Sequence, residues 1–332
     1  MDIAFAILGG LIVLVLGAEF LVRGSVRLAE RAGVSPLLIG LTIVGFGTST
    51  PELVTSVQAA MIGSPGIAVG NIVGSNIFNV LVILGLAAMI QPLAVAEGAL
   101  RRDGVLVVAT ALLFAAIAVV WSLDRIAGVL LLGGLSAYLV AAWRQERAAE
   151  ATGGPHGAAF DRAEAFEAAD PALRPGAVPR GEAGGWIAPV AFAVGGLVLL
   201  VVGSRFLVGG AIDLARILGV SETVIGLTIV AAGTSMPELA TSALAAMRRQ
   251  ADVAIGNVLG SNIYNVLGIG GVTALIAPTA VPPEIIRFDL PVMVLVSVAL
   301  LALLATGRRL SRGEGAFLFA LYFGYLWWLW PA

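Results

Sequence analysis

The chain has 332 residues, 59% of them hydrophobic and only 12% charged, with a mean hydropathy of +1.00. A soluble domain of this length has too little interior to hide so much apolar surface, so the composition describes a polytopic membrane protein. The net charge of −2 and the lack of a basic cluster with interleaved aromatics give no basis for a nucleic-acid partner. There is no cysteine, hence no disulfide and no thiolate ligand, and His156 is the only histidine. Any metal held here is held by oxygen.

Residues 3–22 form the first apolar run. Met1-Asp2 is not the basic leader of a cleaved signal peptide, so the run reads as a retained helix. Runs at 36–62 and 67–91 follow, separated by the uncharged turn Gly63-Ser64-Pro65-Gly66, and runs at 104–121 and 126–143 complete a group of five. Residues 144–185 are rich in Ala, Glu, Arg, Gly and Pro and are too polar to span a bilayer. Their composition predicts a disordered linker; a short amphipathic helix on the membrane surface over 158–169, punctuated by Phe160 and Phe166, is the competing reading. Five more runs lie at about 186–209, 222–247, 252–277, 288–306 and 312–330, the last ending in Trp327, Trp328 and Trp330 as an interfacial anchor. The expected fold is all-α, with about ten transmembrane helices.

An internal repeat organises these runs. Gly47-Thr48-Ser49-Thr50-Pro51-Glu52-Leu53 returns as Gly233-Thr234-Ser235-Met236-Pro237-Glu238-Leu239, an offset of 186 residues. The same offset relates Gly9-Gly10 to Gly195-Gly196 and Gly40-Leu41-Thr42-Ile43-Val44 to Gly226-Leu227-Thr228-Ile229-Val230. The chain therefore divides into a first five-helix repeat (1–143), a linker (144–185) and a second repeat (186–332). Five spans is an odd number, so the second repeat enters the membrane inverted, as in many secondary transporters. All the basic residues are arginines, and with both termini outside only Arg125, Arg205, Arg216 and Arg287 fall on the outer side. The positive-inside rule then puts the linker in the cytoplasm of a multi-pass protein of the inner (plasma) membrane.

Glu52 and Glu238 stand in apolar surroundings where a carboxylate costs about 2.5–3.5 kcal/mol or more. Thr48 and Glu52 have the spacing of one helical face, with Ser49 alongside, and Thr234, Ser235 and Glu238 repeat the pattern. Pro51 and Pro237 each free a backbone carbonyl, which in hydrocarbon is tolerated only where protein, water or an ion satisfies it. A proline kink with back-bonding hydroxyls accounts for the Ser and Thr but leaves the glutamates unexplained. The next run of each half carries Gly70-Asn71-Ile72-Val73-Gly74-Ser75-Asn76-Ile77-Phe78-Asn79 and its copy Gly256-Asn257-Val258-Leu259-Gly260-Ser261-Asn262-Ile263-Tyr264-Asn265. Here the glycines read as close helix packing and some of the amides as interhelical glue. Ser75 with Asn79, and Ser261 with Asn265, add neutral oxygens at one-turn spacing. Calcium takes about six to eight oxygens at roughly 2.3–2.6 Å, and sodium, equally hard, fits the same shell. A site that holds calcium or sodium, and not both, is the physical basis of an exchanger.

Taken twice, G-T-S-x-P-E followed by G-N-x-x-G-S-N-I-x-N resembles the paired repeats of the cation/calcium exchanger superfamily, specifically its prokaryotic sodium/calcium exchanger branch. The resemblance covers the whole chain outside the linker. It implies calcium coordination by Glu52 and Glu238, helped by Thr48 and Thr234. It implies sodium contacts from Ser49, Ser235, Ser75, Ser261, Asn79 and Asn265, and from carbonyls near Gly45 and Ala231. It also implies that the first and sixth helices slide across the rest. Calcium and sodium are then transported ions; no cofactor and no protein partner beyond the lipid bilayer is implied. Within this family proton/calcium antiport is the alternative coupling. A channel suits inverted, broken helices less well. An intramembrane hydrolase would need a mid-span histidine, Ser–His pair or paired aspartates, so the chain is not expected to be an enzyme.

Overall fold

In hydrocarbon a spanning segment must satisfy its own backbone hydrogen bonds, and the apolar runs do so as helices. The structure, a computed structural model, describes residues 3–33, 39, 42–43, 45–95, 100–152, 160–164 and 186–330. In chain order the principal helices are α1 (Ile3–Arg31), α2 (Thr50–Met61), α3 (Pro65–Ile90), α4 (Leu100–Val120) and α5 (Arg125–Thr152). They are followed by α6 (Ile187–Leu218), α7 (Glu222–Thr234), α8 (Met236–Met247), α9 (Ala251–Ile276), α10 (Ile285–Gly307) and α11 (Arg312–Leu329).

Seven of these are long and apolar enough to cross a membrane, and α7–α8, bent by 49°, makes an eighth if counted as one span. The run expected at 36–62 is represented by α2 and by residues partly outside those described. The last, aromatic run is α11, which opens on a capping box: the Ser311 hydroxyl accepts the Glu314 N–H and Glu314 Oε2 accepts the Ser311 N–H at 2.7 Å.

Burial sorts the helices into a centre and a rim. In α3 and α9, 89% and 83% of the most apolar stretch is buried, against 28–39% in the other five long spans. The rim presents Phe5, Leu8, Ile12, Val120, Ile187 and Trp327 outward, a belt suited to lipid. α1 and α6 run antiparallel and touch along most of their length. Glycine permits this approach: a Cβ on Gly10 would lie 2.7 Å from Leu207 N, one on Gly17 2.8 Å from Leu200 N, and one on Gly203 2.8 Å from Leu14 N. A short strand pair, β1 (Leu93–Ala94) with β2 (Arg309–Leu310), and a bridge between Leu123 and Thr279 tie the two halves together. Position 279 is the repeat equivalent of 93, and 309 that of 123, so the two ties obey the offset seen in the motifs.

Two stretches of the polar segment correct the expectation of disorder. α5 runs on as helix to Thr152. Residues 160–164 form a helical turn, and it is packed into the protein instead of lying on lipid, because Asp161, Arg162 and Ala163 are all buried. His156 and residues 165–185 lie outside the described residues.

Candidate cation-binding site

The repeated motif breaks its helix at the second hydroxyl. Ser49 (φ −83°, ψ 5°) and Ser235 (φ −83°, ψ 9°) have the same non-helical backbone, with Pro51 and Pro237 in the first turn of the helices that follow. Glu52 and Glu238 therefore lie in the first turns of α2 and α8, where unpaired N–H groups and the helix dipole favour a carboxylate. The break also means that Thr48 and Glu52 flank a corner instead of sharing one continuous helical face. Their side chains are buried all the same, as are those of the other eight expected ligands.

The two copies are cross-linked through their hydroxyls. Ser235 donates to Glu52 Oε1 at 3.1 Å, while Ser49 Oγ lies 3.3 Å from both Glu238 Oε1 and Asn265 Oδ1. Each glutamate is thus approached by the serine of the opposite repeat. Asn79 Nδ2 donates to Asn262 Oδ1 at 3.0 Å, which joins α3 to α9. Thr234 Oγ1 lies 3.1 Å from both Asn71 Oδ1 and the Val230 carbonyl. Ser75 and Ser261 are buried, but no hydrogen bond joins their hydroxyls to this set. The Ala231 carbonyl accepts the Ser235 N–H at 3.1 Å; the residues before Gly45 lie partly outside those described.

Several buried oxygens of these residues have no hydrogen-bond partner among the described residues: Glu52 Oε2, Glu238 Oε2, Ser75 Oγ, Ser261 Oγ and Asn79 Oδ1. A buried polar atom left unmatched costs about 1–3 kcal/mol, so a set of them with acceptor lone pairs suits a cation. Among the described residues no cluster of three or more acidic or imidazole side chains is positioned for a metal. The donor set is two carboxylates with neutral oxygens, chemistry for hard cations.

Three features were not anticipated. Asn71 and Asn257 brace the acidic turns: Asn71 Nδ2 donates to the Glu52 carbonyl (3.1 Å) and Ser56 Oγ (2.9 Å), and Asn257 Nδ2 reaches the Glu238 carbonyl (3.3 Å), Thr241 Oγ1 and Ser242 Oγ. Both sit in the repeated G-N motif, where they passed as general interhelical glue. Secondly, α3 and α9 turn π-helical from Asn79 and Asn265 respectively, over Asn79–Leu84 and Asn265–Ile269. Such widened turns mark functional sites in many helices. Thirdly, Arg162 of the polar segment enters the site. Its Nη2 donates to Ser49 Oγ (2.6 Å) and Thr48 Oγ1 (3.0 Å), stands 3.8 Å from Glu238 Oε1, and its guanidinium carbon lies 4.5 Å from the Tyr264 ring centroid. No linear pattern announces this residue.

Two buried carboxylates amid neutral oxygens at a repeated helix break, in a mostly helical membrane protein, are a donor set suited to a cation transporter. The sequence matches the family of sodium/calcium exchanger proteins over residues 3–144 and 188–330. It is 37% identical to the putative antiporter CaxA of Alkalimonas amylolytica (96% of each chain) and 36% identical to the inner membrane protein YrbG of Escherichia coli (97% and 96%). It is 33% identical to the sodium/calcium exchanger MaX1 of Methanosarcina acetivorans (96% and 95%). The fold is similar to that of the sodium–calcium exchanger NCX_Mj soaked with 2.5 mM Na+ and 0.1 mM Ca2+, at a TM-score of 0.60, 30% identity and 98% coverage of both chains. The chain belongs to the sodium/calcium exchanger family, a family of cation/calcium antiporters.

Proposed function

We propose that the chain exchanges sodium for calcium across the inner membrane by alternating access. Glu52 and Glu238 neutralise calcium, assisted by Thr48 and Thr234. Ser49, Ser235, Ser75, Ser261, Asn79 and Asn265 complete the shell that sodium uses. The observation that carries this reading is the reciprocal bonding of each glutamate to the serine of the other repeat. Two carboxylates held together in a dry site repel each other unless a cation joins them. A divalent ion cancels both charges, and sodium ions in the neutral-oxygen shell do the same work, so one displaces the other.

Ten spans in two inverted repeats are the architecture this mechanism uses. The antiparallel pairing of α1 with α6 and the offset between the two interstrand ties support it. Both termini then lie outside and the 144–185 segment lies in the cytoplasm.

Sodium is favoured over protons as coupling ion by the neutral shell, since a pure proton carrier needs only the two carboxylates. Radiocalcium uptake into proteoliposomes separates the two. A sodium gradient drives uptake, and collapsing the pH gradient with an ionophore leaves it running. Uptake driven by a pH gradient without sodium, and unchanged by adding a sodium gradient, would establish proton coupling instead.

A further inference from the structure

We propose that the helical turn at residues 160–164 is a built-in plug of the cation site, with the Arg162 guanidinium standing in for the transported ion. The inference rests on the reading of Glu52 and Glu238 as the cation carboxylates. Arg162 is 1% exposed, and an arginine is buried so completely only where its charge is answered. Here it reaches Thr48, Ser49 and Glu238, three residues assigned to the ion shell. The Tyr264 ring below it adds cation–π support. Its Nε and Nη1 have no hydrogen-bond partner among the described residues, so the arginine is held by charge and shape more than by a completed network.

The two copies of the site differ at this point. In the second copy Thr234 Oγ1 meets Asn71 Oδ1 at 3.1 Å. In the first, the equivalent Asn257 Oδ1 has no hydrogen-bond partner among the described residues, and Thr48 accepts from Arg162 instead. The neighbours of Arg162 anchor the turn on either side. Asp161 packs against Gly256, whereas the equivalent Gly70 packs against the backbone of Gly226 and Leu227. Ala163 joins Val22 and Val26 of α1 in a small apolar cluster. Burial, with Asp252 and Asp103 nearby, pushes the Asp161 carboxyl up to about 8, a shift that lowers the charge cost of docking the turn. A turn fastened at once to the site, to α9 and to α1 both competes with the ion and restrains the helix pair expected to slide.

A tethered cation raises the ion concentration needed for half-maximal transport without altering turnover at saturation. If the turn is docked in about nine molecules of ten, Arg162→Ala lowers the apparent KM for calcium about tenfold, with kcat unchanged. An unchanged or raised KM in a folded Arg162→Ala protein would overturn the plug. The cysteine-free chain permits a second reading with Ala163→Cys. Saturating calcium should accelerate its reaction with a soluble thiol reagent in detergent, and labelling indifferent to calcium would count equally against the proposal. Glu238→Gln is the reference for the underlying site. Loss of exchange there with no effect at Arg162 rejects the plug alone, whereas retained exchange rejects the site itself.

Discussion

At the scale of single residues, the decisive fact is where charge has been placed. Glu52 and Glu238 keep one oxygen on a serine of the opposite repeat and leave the other without a hydrogen-bond partner among the described residues. Glutamine fills the same volume and can keep the serine contact while removing the charge. Breaking a buried charge pair from one side costs about 3–5 kcal/mol, which corresponds to a loss of calcium affinity of at least about a hundredfold. Glu52→Gln and Glu238→Gln are therefore each expected to abolish calcium uptake while the purified protein melts near the wild-type temperature. Wild-type uptake by either folded variant would remove that residue from the ion site. The two glutamates could be picked out of the linear sequence because a carboxylate in an apolar run has no structural excuse. Asn71 and Asn257 could not, since an amide in such a run is as often glue as ligand.

At the scale of elements, glycine position separates the contact between α1 and α6 from their outer faces. Gly17 sits against the Leu200 backbone, and Gly9, on the same helix, has nothing within 4 Å of where a Cβ would stand. Gly17→Ala is expected to force the helices apart at a cost of about 1–3 kcal/mol. Gly9→Ala should be neutral or stabilising by up to about 1 kcal/mol, because alanine is the better helix former. Thermal unfolding in detergent checks the contrast, and equal melting temperatures for the two variants would contradict the packing. The broken helices belong to this scale too. Their proline made the interruption legible, but the corner falls at Ser49 and Ser235, ahead of the proline, and that detail follows from the local backbone.

At the scale of the whole molecule, the two halves are bound by contacts that respect a single sequence offset. The candidate site lies between them, where the first turns of α2 and α8 meet the two most buried helices, α3 and α9. The proposed orientation, which rests on the arginine distribution, puts the polar segment inside. A cysteine introduced as His156→Cys should resist an impermeant thiol reagent in intact cells and react after permeabilisation. Rapid labelling from outside would reverse the orientation. The test is clean because the chain contains no other cysteine.

The linear sequence by itself determined the membrane class, the repeat and the two acidic motifs. Each of these is a local property: hydropathy needs one window, a repeat needs one comparison, and an intramembrane carboxylate is anomalous wherever the chain goes. The family follows from the motifs for the same reason. Tertiary structure alone decided which serine meets which glutamate, where the helices widen, and that Arg162 comes to Ser49, 113 positions away in the chain. In composition the segment around Arg162 is ordinary polar linker. Its charge becomes meaningful only when folding sets it beside a carboxylate in a space that excludes water, where electrostatic attraction is least screened.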